Sequence, residues 1–182
     1  MSPAALRRFV VALAACLGLV TGVLVSAGPA GATTVPWASM TIAQREATMA
    51  NSMFALLNLE RAANHLPRLG GSPTLVKSAL AHNLVMAKDN LMSHQCPGEA
   101  SPGTRITRAG YAWRAWAENI GWDTDETITG IQNMERLMYG ERAPNDGHRL
   151  NILGHYTAVG VSVYIDTVHH KMWYTQDFGV PA

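Results

Sequence analysis

The order in which the hydrophobic periodicity changes along this chain constrains its fold more than any other feature. Apolar residues recur at helical spacing in three segments, residues 41–65, 72–92 and 125–139, and a shorter helical piece at 104–109 ends at Gly110. The period then changes to two in residues 159–164 and 172–177, and this alternation around a turn at 167–170 predicts a β-hairpin. Residues 116–122 are a third candidate strand. Helices first and strands last predict an α+β fold in which helices cover a small antiparallel sheet.

The N-terminal residues predict export and are not part of the fold. Two arginines precede an uncharged apolar run of 19 residues at 9–27, and the small residues Ala30-Gly31-Ala32 follow. This order is typical of a secretory signal peptide, so residues 1–32 are assigned to the signal. Two alternatives stay open: the run is long enough to remain as a membrane anchor, and Cys16 is a candidate for lipidation. Each of the three interpretations places the rest of the chain outside the cytoplasm.

The mature part is expected to be one domain. Residues 33–40 form a short lead-in, and residues 41–182 are enough to bury a sizeable core. Loss of the signal removes two arginines, so 14 basic and 13 acidic residues become 12 and 13, a net charge of about −1 with His neutral. This balance lacks the basic face that nucleic acid requires, and we expect no nucleic-acid partner and no membrane span in the mature chain. Cys96 is then the one remaining cysteine, which excludes a disulfide within the mature chain.

Three short motifs hold the residues with chemical potential: Ser93-His94, Glu118-Asn119-Ile120, and Gly-His-Arg-Leu-Asn-Ile-Leu at 147–153. In this order they resemble the CAP superfamily, named for cysteine-rich secretory proteins, antigen 5 and pathogenesis-related 1, in its bacterial SCP-like extracellular branch. The resemblance extends from about residue 53 to 179. It implies a three-layer α-β-α sandwich and a cleft across which His94, Glu118 and His148 face one another.

A fourth site residue is expected between the fourth helix and His148. The family often has Trp-x-x-Glu in this region, whereas the fourth predicted helix contains no tryptophan. Glu141 is the preferred candidate because it begins the loop leading to His148, so its side chain can turn into the cleft. Glu135 is the rival, but its spacing from Ile131 and Met138 places it towards the apolar face of the helix.

Two imidazoles and one or two carboxylates in a cleft can hold a divalent metal, transfer a proton or satisfy one another as a polar network. Zinc enzymes normally supply three protein ligands, so His94 and His148 alone would hold zinc only weakly, and no cofactor is required. No nucleophile is evident. Ser93 and His94 are adjacent and point opposite ways on an extended backbone, and the sequence places no Asn or Asp to orient an imidazole beside Cys96.

The resemblance therefore favours a secreted binding domain that acts without catalysis. Members of the family have been associated with lipid or sterol capture and with protein contacts at the cell envelope. The expected partner is accordingly a small apolar ligand, or an envelope or protein partner. The alternative is a metal-assisted hydrolase of peptides or envelope polymers that uses the same cleft, with Glu118 as the general base.

Other polar and aromatic residues have simpler interpretations. His82 in the second helix is expected to be solvated or hydrogen-bonded, and Arg105 is expected to lie on a solvated face with its neighbouring arginines. Four tryptophans could line an apolar groove, although core packing is the simpler prediction. They are Trp113, Trp116, Trp122 and Trp173.

Overall fold

The structure, a computed structural model, describes residues 35–182. The predicted signal peptide, its cleavage site and the lipidation alternative at Cys16 lie outside the described residues. The lead-in contains a short 3-10 helix at Trp37–Ser39. Among residues 35–182, no helix combines the length and the apolar character needed to cross a bilayer.

Five α-helices occupy the described chain: α1 (Ile42–Ala63), α2 (Pro73–Asp89), α3 (Pro102–Ala109), α4 (Ile128–Gly140) and α5 (Gly147–Ile152). Thr41 and Gln44 form a capping box at the start of α1, in which each side chain accepts from the backbone N–H of the other. Ser72 caps α2 ahead of Pro73, as the sequence predicts. The helix α4 begins three residues later than its spacing predicts, because Thr127 takes the N-cap. The helix α5 is too short to show a helical period.

Four strands form one sheet in the order β1-β3-β4-β2: β1 (Gly70–Gly71), β2 (Trp113–Asp123), β3 (Ala158–Asp166) and β4 (Lys171–Pro181). The strands β3 and β4 are the predicted hairpin, and β2 pairs with β4 in antiparallel fashion. The predicted small antiparallel sheet has one parallel addition, because β1 pairs with β3 in parallel at one edge. Two glycines have no side chains to form a pattern, so periodicity could not reveal this strand.

Strand β4, one of the two inner strands of the sheet, divides the core between two helical layers. Met172, Tyr174 and Phe178 belong to the cluster shared with α1 and α4. Trp173, which alternates with them, packs on the opposite face against Met86 of α2. Because successive side chains of a strand point to opposite faces, both faces of β4 are covered, and the predicted α-β-α sandwich is confirmed.

Candidate binding site

A cavity of about 320 Å³ lies beside the edge strand β2. The loop after α2, strand β2, the loop after α4 and helix α5 all contribute to its wall. The lining residues are His94, Glu118, Glu141, Asn145, Gly147, His148 and Asn151. The preferred set of four site residues from the sequence is therefore brought together at one cavity, which we call the His/Glu cavity.

His94 and Glu118 form the first of two imidazole–carboxylate pairs. Nδ1 of His94 lies 2.9 Å from Oε1 of Glu118, and the two side chains are 56% and 2% exposed respectively. The second oxygen of Glu118 accepts from the guanidinium of Arg105. Arg105 also donates to the backbone carbonyls of His94 at 2.9 Å and Ala100 at 3.1 Å. One buried arginine thus holds both the carboxylate and the loop that bears the imidazole.

Glu118 is ionised in spite of its burial. Burial acts to raise its pKa, but the hydrogen bond with His94 and the positive charge of Arg105 outweigh burial and hold the pKa of Glu118 below its usual range. Asp177 on β4 is the cross-strand partner of Glu118 and is fully buried. Burial, and then the charge of Glu118, raise the pKa of Asp177 well above its usual range. Of the two neighbouring carboxyls, Glu118 is therefore the one that holds a negative charge more readily.

His148 and Glu141 form the second pair. Nδ1 of His148 lies 2.5 Å from Oε1 of Glu141, and the backbone N–H of His148 donates to Oε2 over 3.0 Å. Glu141 caps the end of α4, and His148 is in the first turn of α5. The carboxylate therefore bridges two helices and fixes the imidazole at the cavity wall.

Both pairs fix the same tautomer. A carboxylate can only accept a hydrogen bond, so each neutral imidazole must carry its proton on Nδ1. The Nε2 lone pairs of His94 and His148 are then available to a ligand. Carboxylates that orient imidazoles in this way are a common device in metal and ligand sites.

Two asparagines connect α5 to the free edge of β2. Nδ2 of Asn151 donates to the carbonyl of Glu118 at 3.3 Å and to Oδ1 of Asn119 at 2.8 Å. Nδ2 of Asn119 lies 3.3 Å from the carbonyl of His148 and 2.9 Å from Oε1 of Gln176. These amides hydrogen-bond to the backbone carbonyls of Glu118 and His148 and hold the two segments at a fixed separation.

The expectation that Arg105 lies on a solvated face is wrong. The short helix α3 buries the face that includes Arg105 and Ile106. The carboxylate of Glu99 lies 3.5 Å from Arg105 on one side, and that of Glu118 contacts it on the other. Glu99 also pairs with fully buried His82, whose Nδ1 lies 2.8 Å from Oε1. Both carboxylates lie in separate segments from α3, so no local pattern reveals the network.

Glu135, the rival of Glu141, does not line the His/Glu cavity. It is fully buried in the core, where Nε2 of Gln176 donates to one of its oxygens. Burial raises the pKa of its neighbour Glu60 to about 7. Burial, and then the charge of Glu60, raise the pKa of Glu135 well above its usual range. The two carboxyls are therefore a buried pair that shares a proton.

The His/Glu cavity offers fewer metal-binding side chains than a zinc enzyme commonly supplies. Within residues 35–182, no three His, Cys, Asp or Glu side chains are grouped so as to hold a metal ion. The Nε2 atoms of His94 and His148 are two donors of the type that zinc prefers, whereas a zinc enzyme commonly supplies three. Any metal would take its remaining ligands from water or from a bound molecule.

The cavity wall contains no nucleophile. Cys96 is only 1% exposed and does not line the cavity. Burial, and then the charge of Glu99, raise the pKa of its thiol, which disfavours the reactive thiolate. The hydroxyl of Ser93 donates to the backbone carbonyl of Gln95 at 2.9 Å and is also outside the lining. Neither candidate from the sequence can therefore attack a molecule bound in the cavity.

The sequence matches the model of a known protein family. The sequence model of the cysteine-rich secretory protein family, CAP, matches residues 54–178. That is more than half of the chain, and the chain belongs to the CAP family. No curated protein matches it.

Solved bacterial structures resemble the fold. An extracellular protein containing an SCP domain from Bacillus anthracis matches with 26% identity and a TM-score of 0.64, over 80% of this chain and 45% of that one. An outer surface protein of Borrelia burgdorferi matches with 12% identity and a TM-score of 0.64, over 74% and 94% of the two chains. A cysteine-rich secretory protein of Staphylococcus aureus matches with 17% identity and a TM-score of 0.53, over 74% and 39%. The chain thus spans less than half the length of the B. anthracis and S. aureus proteins. At 12% and 17% identity, the B. burgdorferi and S. aureus proteins show a likeness of fold alone.

Proposed function

We propose that this protein acts outside the cytoplasm by binding a ligand in the His/Glu cavity, without catalysis. The observation that carries the proposal is the presence of two imidazole–carboxylate pairs on one cavity wall. Each pair is anchored through its carboxylate and presents Nε2 of His94 or His148. A wall of this kind is rigid before the ligand arrives, and this lowers the entropic cost of binding.

The state of Glu118 argues against the alternative of a hydrolase. A general base must be free to accept a proton, and its pKa is best placed near the working pH. Both oxygens of Glu118 are already occupied by His94 and Arg105, and its pKa is lowered. The occupied state of Glu118, together with a cavity wall that has two imidazoles and no nucleophile, favours ligand binding over hydrolysis.

The chemistry of the wall suggests how a ligand is held. Imidazole, carboxylate and amide groups predominate, so a lipid- or sterol-like molecule would place its polar end here and not its hydrocarbon part. An envelope polymer or a protein partner would insert a polar group in the same way. If zinc binds, His94 and His148 would hold it, and the ion would supply positive charge for an anionic group of the ligand.

The proposed location rests on the N-terminal sequence. The related B. anthracis protein is described as extracellular, and residues 1–32 of this chain have the order typical of a signal peptide. N-terminal sequencing of the exported protein should begin at Thr33. Recovery of protein that retains residues 9–27 would indicate an anchor, and a diacylglycerol adduct on Cys16 would indicate a lipoprotein.

A turnover assay separates binding from hydrolysis. The full exported chain would be incubated with casein and with peptidoglycan, after chelation and again after addition of zinc. We expect no product above the level of the His148→Ala variant in any condition. Zinc-dependent product formation that disappears in both His94→Ala and Glu118→Gln would reject the proposal in favour of the hydrolase.

A further inference from the structure

A second cavity, of about 580 Å³, lies between α3 and the beginning of β2. It is larger than the His/Glu cavity and shares no lining residue with it. Its walls are Ser101, Gly103, Thr104, Thr107, Arg108, Trp113 and Trp116. We call it the tryptophan cavity. The family resemblance assigns no role to its two tryptophans.

The two indole rings are held in place before any ligand binds. The rings of Trp113 and Trp116 meet edge to face, with centroids 6.1 Å apart and an interplanar angle of 78°. Nε1 of Trp113 lies 3.0 Å from the hydroxyl of Thr107 and 3.3 Å from the carbonyl of Gly103. A Cβ atom at Gly103 would come within 2.8 Å of Nε1 of Trp116, so only glycine allows this close approach.

The polar part of the cavity is made of hydroxyls and one cation. The hydroxyls of Ser101 and Thr104 lie 2.9 Å apart on the rim. Arg108 is exposed, and within residues 35–182 it makes no ion pair. No acidic residue lines the cavity. The cavity therefore combines two apolar ring faces, several hydrogen-bonding groups and an uncompensated positive charge.

We propose that the tryptophan cavity binds a saccharide that carries an acidic group. The C–H groups on one face of a pyranose ring carry a partial positive charge, which suits the negative face of an indole. The hydroxyls of the sugar can exchange hydrogen bonds with those of Ser101 and Thr104. The guanidinium of Arg108 is available for a carboxylate, in the planar geometry that such pairs favour. An organic cation would be repelled by Arg108, and an acyl chain would leave the polar rim without partners.

The position of Trp116 brings this cavity next to the His/Glu cavity. Trp116 and Glu118 are two residues apart on β2, so their side chains share one face and are separated by about 7 Å along the strand. A saccharide chain of several units could therefore extend from one cavity towards the other. The saccharide site stands independently of the proposed function, because none of its residues belongs to the imidazole–carboxylate pairs.

The test is calorimetric titration of the full mature chain with two matched tetrasaccharides. Hyaluronan tetrasaccharide and tetra-N-acetylchitotetraose, called chitotetraose here, both contain β-linked N-acetylglucosamine, but only the first carries carboxylates. We expect hyaluronan tetrasaccharide to bind about tenfold more tightly, and Trp116→Ala and Trp113→Ala each to weaken it at least about tenfold. Trp122→Ala is the matched control, since this tryptophan is also partly exposed but lies outside the cavity.

Two further variants separate recognition from folding. Arg108→Gln should bring the affinity for hyaluronan tetrasaccharide down to that for chitotetraose, and Trp116→Phe should restore most of the affinity that Trp116→Ala loses. Near-ultraviolet circular dichroism checks that each variant folds. The proposal is overturned if the parent binds neither saccharide or binds both equally. It is also overturned if both tryptophan-to-alanine variants bind like the parent while His94→Ala does not, since binding would then belong to the His/Glu cavity.

Discussion

Replacement of Arg105 by glutamine should have the largest effect on the network behind the His/Glu cavity. The guanidinium is buried and contacts the carboxylate of Glu118 together with the backbone carbonyls of His94 and Ala100. Glu99 lies 3.5 Å away on the other side. Glutamine can replace one of these hydrogen bonds but none of the charge. The variant therefore leaves the Glu118 carboxylate, with a side chain only 2% exposed, without its cationic partner.

The magnitude follows from the burial. Removal of one partner from a buried ion pair costs about 3–5 kcal/mol, because the remaining charge is neither solvated nor compensated. For a domain of this length, 1 kcal/mol corresponds to a change in melting temperature of about 2–4 °C. Arg105→Gln should therefore lower the melting temperature by about 6–20 °C at pH 7.

The loss should depend on pH in a definite direction. In the parent the pKa of Glu118 is lowered, so its contribution to stability is present above the unfolded-state pKa and is lost as the pH falls through the folded-state pKa. In Arg105→Gln, the loss of the guanidinium leaves burial less opposed, so the pKa of Glu118 should be higher than in the parent and the carboxyl should be protonated on milder acidification. The difference in unfolding free energy between parent and variant should therefore shrink from pH 7 to pH 4.

Urea unfolding followed by tryptophan fluorescence measures this difference at each pH. Arg108→Gln is the matched control, since it removes an exposed arginine from the same helix and should change stability by less than about 0.5 kcal/mol. A loss below about 1 kcal/mol for Arg105→Gln at pH 7 would contradict the reasoning. A loss that stays constant from pH 7 to pH 4 would refute the assignment of the buried charge to Glu118.

Three other predictions concern the same fold. Zinc should bind with a Kd around micromolar or weaker, and calorimetry should detect no binding to His94→Ala or His148→Ala; variants that bind zinc like the parent would contradict the site. A carboxyl whose pKa is raised in the folded state lowers the free energy of unfolding as the pH rises above its unfolded-state pKa. In urea titrations, Glu135→Gln should therefore gain stability over the parent by about 1 kcal/mol per pH unit between pH 5 and 7. No gain would mean that Glu135 and Glu60 do not share a buried proton. The thiol of Cys96 should react with a thiol reagent only after unfolding, and rapid reaction of the native protein would contradict its burial.

The sequence predicted the elements whose side chains repeat with a regular period. The three long helices α1, α2 and α4 and the closing hairpin follow from apolar spacing over many residues. The shorter α3 was predicted as a helical piece that ends at Gly110. The sequence missed β1 and α5 for the opposite reason. Two glycines at 70–71 and six residues in Gly147–Ile152 are too few to show a period.

The candidate site was predictable in part because motif order reflects topology. His94 and Glu118 come from separate segments and meet only because α3 anchors the loop after α2 against β2, and Arg105 does this from a position that resembled a solvated helix face. The choice of Glu141 over Glu135 followed from local geometry, since a residue at a helix end can turn into a cleft. Its hydrogen bonds to His148 could not be deduced from spacing alone, because they depend on the path of the loop between α4 and α5.

Native mass spectrometry of the protein isolated from its own culture medium tests the central proposal most directly. The parent would be compared with His94→Ala and His148→Ala, and with His169→Ala as the control. His169 also pairs with a carboxylate, that of Asp166 at 2.6 Å, but lies outside the His/Glu cavity. The account predicts a bound molecule on the parent and on His169→Ala that is absent from both cavity variants. The same bound molecule on all four proteins, or none on the parent, would contradict ligand binding in this cavity.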